Sequence, residues 1–86
     1  MKQLSRQQVY DLINEERHYQ DEKWVGAPHD KEHYVSDWLI YIRIYLTKAE
    51  NALYELSIED AMDAVRKITA MGVAAMEANG CPKRKD

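Results

Sequence analysis

Apolar residues recur every three to four positions through most of this chain, and no segment alternates with a period of two over strand length. The pattern predicts helices. Helix 1 is expected over about 5–24, opened by "SRQQ", in which Ser5 and Gln8 form a capping box and Leu4 and Val9 a hydrophobic staple. Gly26 and Pro28 in "VGAPHDKEH" mark a linker over 25–33. Helix 2 is expected over about 34–56. Helix 3 is expected over about 58–79, with Ser57 as its cap, Gly80 as its left-handed end and Pro82 beyond; a short basic tail fills 80–86. The chain therefore reads as one all-α domain of three main helices.

Helix 2 is the most apolar. At 3.6 residues per turn, Val35, Trp38, Leu39, Ile42, Tyr45, Leu46, Ala49, Leu53 and Leu56 make one inward stripe. Ile40, Tyr41 and Ile44 lie outside it, on a second face. Three helices do not easily cover both faces, so a homo-oligomer is expected, with Ile40, Tyr41 and Ile44 against a partner chain. Helix 3 carries small residues in "TAMGVAAMEA" that let another backbone approach closely. On helix 1 the inward line is Val9, Leu12, Ile13, Glu16, Gln20 and Trp24, flanked by Arg17 and Lys23. A carboxylate on such a face must be paired, hydrogen-bonded or bound to metal, and a cation from another helix is one partner for Glu16. Asp60, Asp63 and Glu77 are expected on the outer side or flank of helix 3.

Length sharpens the oligomer expectation. With 86 residues, a single chain buries a modest fraction of its surface. The formal net charge of −3 argues against nucleic acid or an acidic membrane as partner, while leaving room for a local cationic pocket. The basic run Lys83–Lys85 reads as a solubilising tail. One cysteine, Cys81, excludes an internal disulfide and fits a cytoplasmic setting. No signal-peptide pattern and no apolar run near the roughly 18 residues of a bilayer span is seen.

Candidate chemistry is sparse. His29 and His33 have i,i+4 spacing, but no HExxH order or Cys pair supports a metal site, so they read as linker residues. "ERHYQDEKW", "WLIYIRIYLTKAENAL" and "AVRKITAMGVAAMEANGCPKR" together resemble a group of small phage-encoded proteins. That group is similar to the MazG-like all-α nucleoside triphosphate pyrophosphohydrolases. The resemblance runs from about Ile13 to Arg84. It implies a MazG-like helical oligomer with nucleotide pockets between helices and, in the enzymes, Mg²⁺ held by E-E-x-x-E and E-x-x-D motifs. Mg²⁺ prefers hard oxygen ligands shared with phosphates, and two-metal hydrolysis needs several converging acids. Here Ile44, Tyr45 and Lys48 stand where the three acids of the first motif are expected, and Glu16 alone among the acids points inward.

These residues predict binding without hydrolysis. The expected ligand is a small phosphate-bearing molecule, a nucleotide in the first instance, held by Arg17, Gln20, Lys23, Trp24, Arg43 and Lys48, with no catalytic residue, metal or cofactor. Arg66 and Lys67 are further cations near the helix cores. Arg forks match phosphate oxygens and aromatic faces stack on bases. The competing reading is surface charge in i,i+4 pairs such as Arg17 with Asp21 and Asp63 with Lys67. A phage protein of this kind would sequester a host nucleotide signal in the host cytoplasm, an anti-defence role. Two alternatives remain open. One is a divergent Mg²⁺-dependent pyrophosphohydrolase using Glu16 as a metal ligand with acids from a neighbouring subunit. The other is a protein-interaction module acting on a host target through helix 2.

Overall fold

A computed structural model describes residues 1–23 and 34–85. The chain is all-helical, with three helices and no strand among the described residues: α1 Arg6–Lys23, α2 Val35–Tyr54 and α3 Ile58–Asn79. The linker residues 25–33, with His29 and His33, and also Trp24, lie outside the described residues.

Each described helix start has a local cause. The Ser5 amide donates to Gln8 Oε1 at 2.8 Å and the Gln8 amide to Ser5 Oγ at 3.2 Å, a reciprocal capping box. The Tyr34 amide donates to Asp37 Oδ2 at 2.9 Å ahead of α2. Ser57 Oγ accepts from the Asp60 amide at 3.3 Å ahead of α3. At the far end of α3, Gly80 has φ of 75° and its amide donates to the Met76 carbonyl at 2.7 Å.

Helix α2 ends at Tyr54, before the expected Leu56. The Leu56 amide donates to the Leu53 carbonyl at 3.0 Å and the Ser57 amide to the Ala52 carbonyl at 2.9 Å. This paired pattern closes a helix when the residue past its cap is left-handed. Leu56 takes that conformation, with φ of 61°, and its side chain is 91% exposed. Ser57 then caps α3 at once, and the short connection folds α3 back along α2 as a hairpin.

Helix α3 is the shared element, packing against both α2 and α1. The buried apolar residues are Trp38 and Ala49 of α2 with Ala61, Ala64, Ala70, Met71 and Ala74 of α3. Five of the seven are alanines, so the backbones approach closely and the core is thin. Twenty large apolar side chains among the described residues are exposed. The expected inward stripe of α2 is therefore narrower than its apolar arc. Trp38, Ile42, Tyr45, Ala49 and Ala52 face α3 or its edges, while Val35, Leu39, Leu46 and Leu53 are exposed roughly a quarter turn away. Ile58, Met62, Val65 and Met76 form a matching exposed line on α3, about a third of a turn from Ala64. One neighbouring helix cannot cover an apolar arc that wide.

On α1 the buried residues are Glu16, Arg17 and Gln20. Val9 and Leu12, expected inward, are exposed, and Arg17, expected at the flank, is turned in. The reason lies across the interface, where α3 offers Arg66 and Glu77 to α1.

Candidate functional site: a cationic cleft beside Tyr45

Helix α1 is tied to α3 by ions. Arg17 Nε donates to Glu77 Oε1 at 3.0 Å and Nη2 to Glu77 Oε2 at 3.1 Å, a two-pronged pair. The same guanidinium donates to Gln20 Oε1 at 3.1 Å and to Asp21 Oδ1 at 3.0 Å. Glu77, expected on the flank of its helix, is thus a tether. The Arg17 guanidinium beside it holds its carboxyl below the ordinary range, although burial works the other way. Across the same interface Arg66 Nε donates to Glu16 Oε1 at 3.0 Å. The buried carboxylate has its cation from another helix, one of the outcomes its position allows.

Arg66 also bonds Asp63, and Lys67 Nζ pairs with Asp63 Oδ2 at 3.1 Å. The Lys67 bond is the main reason the Asp63 carboxyl sits below its ordinary value. The reciprocal bond to Asp63 raises the Lys67 ammonium. Lys67 is therefore fixed in place and firmly charged at neutral pH.

These groups frame a cleft of about 340 Å³ lined by Glu16, Tyr19, Gln20, Lys23, Tyr45, Arg66, Lys67 and Met71. Three cations face one carboxylate on its walls. The cations are interleaved with rings. Lys48 Nζ lies 4.5 Å from the centre of the Tyr45 ring, Lys67 Nζ 5.8 Å from the same ring, and Lys23 Nζ 5.7 Å from that of Tyr19. Each contact holds an ammonium near a ring at the cleft without neutralising it.

Of the residues expected to bind a ligand, Gln20 and Lys23 line the cleft, and Lys48 reaches it through Tyr45. Arg17 is buried and bonded to Glu77, Gln20 and Asp21, which gives it a tethering role. Arg43 is exposed on the far side of α2 from Tyr45. Trp24 lies outside the described residues. Tyr19, Tyr45, Arg66 and Lys67 also line the cleft. Arg66 and Lys67 are among the cations the sequence places near the helix cores, though outside the six residues expected to hold the ligand, and Tyr19 and Tyr45 were not expected there. One signal for Lys67 is its place one turn before the buried Met71, and one for Tyr19 is its i,i+4 spacing to Lys23.

No cluster of three His, Cys, Asp or Glu groups that could hold a metal comes together among the described residues. No helix among them is long and apolar enough to cross a membrane. No protein-family model matches the chain, and neither the curated proteins nor the solved structures hold a match to it.

Proposed function

We propose that this protein binds a small phosphate-bearing ligand, a nucleotide in the first instance, in the cleft between α1 and the hairpin, and releases it unchanged. The observation that carries the reading is the set of three ammonium groups, Lys23, Lys48 and Lys67, held around the rings of Tyr19 and Tyr45. Lysines suit phosphate as point charges, and tyrosine faces suit a base. The cleft volume of about 340 Å³ falls at the lower end for small-molecule sites. The non-hydrolytic form is supported by Glu16, the one carboxylate on the wall, being engaged by Arg66. The wider setting of the proposal is a phage helical homo-oligomer with a MazG-like arrangement, acting in the host cytoplasm to sequester a nucleotide signal.

The test is a thermal-shift screen with mono-, di-, tri- and cyclic nucleotides, with and without Mg²⁺, followed by chromatography of each ligand. Binding at 100 times the dissociation constant adds about 2.7 kcal/mol. A shift without Mg²⁺, with the nucleotide recovered intact and affinity lost about tenfold in Lys48→Ala or Tyr45→Ala, supports the reading. No shift with any nucleotide overturns it. Cleaved nucleotide, dependent on Mg²⁺ and abolished in Glu16→Ala, replaces it with the divergent pyrophosphohydrolase.

A second reading has its own observation. Ile40, Tyr41 and Ile44 are exposed on α2. An apolar patch of this kind supports a protein-docking module, and Ile44→Glu would abolish target capture while leaving nucleotide shifts intact.

A further inference from the structure

The exposed leucines of α2 recur at seven-residue intervals: Leu39, Leu46 and Leu53, at 57%, 50% and 55% exposure. A heptad of leucines is the spacing with which a helix presents a constant seam to another helix. The Ile58–Met76 line of α3 lies beside it. Lys48 and Lys67 meet at the Tyr45 ring, so they share one side of the hairpin. The leucine seam is about opposite Lys48 around α2, and the Ile58–Met76 line is about opposite Lys67 around α3. Both lines therefore form one apolar underside, facing away from the cleft.

Three observations select the occupant. First, with Val35 and Met62 at its edges, the uncovered apolar surface is on the order of 700 Å², close to the roughly 800 Å² that each partner contributes to a standard interface. A free monomer seldom exposes so much in one patch. Second, the buried apolar set of a single chain is mostly alanine, and covering the underside would give the hairpin a second core layer. Third, the charges along the seam's outer edge are self-complementary. Arg43 and Glu50 flank Leu46 on that edge, one on either side, both exposed and neither in an ion pair among the described residues. A two-fold axis through Leu46, across the helix, sets Leu39 over Leu53 of the second copy. It also sets Arg43 within a residue of Glu50 of the second copy, twice over.

We infer that the underside of the α2–α3 hairpin binds a second copy of this chain, face to face, with the two α2 helices antiparallel about Leu46 and with two reciprocal Arg43–Glu50 pairs. This deepens the oligomeric part of the proposed function. It moves the interface from Ile40, Tyr41 and Ile44 to the opposite flank, leaving both clefts open on the outside of the pair.

Sedimentation equilibrium of the full chain over a concentration series is the test. The expected mass is twice the 10.1 kDa of one chain. Leu46→Glu is expected to weaken the pair by more than about a hundredfold, whereas Ile44→Glu leaves it intact. Arg43→Glu and Glu50→Arg each weaken it about three- to tenfold, and the double variant restores it. If Leu46→Glu fails to fold by circular dichroism, the charge-swap set carries the test, because both positions are exposed in the chain. A single-chain mass at every concentration overturns this inference and the oligomer alike. A pair broken by Ile44→Glu but not by Leu46→Glu overturns the surface and leaves the oligomer standing. Single swaps without rescue in the double variant overturn the antiparallel register.

Discussion

The two interfaces of α3 are built from opposite materials. Against α2 it presents mostly alanines, with Trp38 and Met71 filling the gaps, and Lys67 lying over the Tyr45 ring at its edge. Against α1 it presents Arg66 and Glu77, which bond Glu16 and Arg17. Packing tolerates sliding by a turn wherever volumes match, while a two-pronged ion pair fixes one register. The α2 side therefore supplies most of the burial, and the α1 side sets where the cleft residues Tyr19, Gln20 and Lys23 stand relative to Lys67.

The largest expected effect is on the packed side. Trp38→Ala removes the one ring that is buried among the described residues and is expected to cost about 3–5 kcal/mol in urea unfolding. An effect below about 1 kcal/mol would show that the hairpin does not depend on it. Next comes the bonded side. Arg17→Ala removes at least four hydrogen bonds of a buried guanidinium and is expected to cost about 2–3 kcal/mol. Glu77→Ala should cost less, because that carboxylate is half exposed and screened. Equal costs would mean that the pair acts as a closed unit.

A smaller effect carries the opposite sign. Leu56 pays for a left-handed backbone that glycine adopts freely, so Leu56→Gly is expected to stabilise the isolated chain by about 0.5–1 kcal/mol. Thermal unfolding checks it, and a loss of stability would show that the Leu56 side chain is covered in the working assembly. The smallest effect is with pH. The Glu77 and Asp63 carboxyls are lowered in the folded chain, so their contribution is complete above the ordinary carboxylate range. It falls away as acid carries the pH through that range and down through the lowered values. Amide exchange should show α1 losing protection before α2 and α3 do. Simultaneous loss would remove the distinction between the two interfaces.

The helix ends were legible where a side chain states them: Ser5 with Gln8, Ser57, and Gly80. The end of α2 was not, because a leucine occupies a left-handed position that glycine usually announces. The face of α1 was legible at Glu16 and Gln20, which are buried as expected, but not at Val9, Leu12 and Arg17. Amphipathic reading follows apolar residues, and here the buried line is ionic and its partners lie on a distant helix. The stripe of α2 was read correctly as apolar but not as half uncovered, since no pattern within one helix tells how many neighbours it has. At the cleft, Gln20, Lys23 and Lys48 were legible as cations and amides near apolar faces. Lys67 was harder to select, because its spacing to Asp63 looks the same in a solvated pair.

The ties of α1 also bear on the order in which the molecule assembles. Arg66 to Glu16 spans 50 positions and Arg17 to Glu77 spans 60, whereas α2 and α3 meet across a tight turn. Closing the longer loop costs more chain entropy before any bond forms. The hairpin is thus the natural nucleus and α1 the late arrival, with transition-state φ-values expected high around the Leu56 turn and near zero at Arg17. A chain still waiting for α1 has its hairpin formed but lacks the Tyr19–Lys23 wall, so ligand binding should report the last folding event rather than the first.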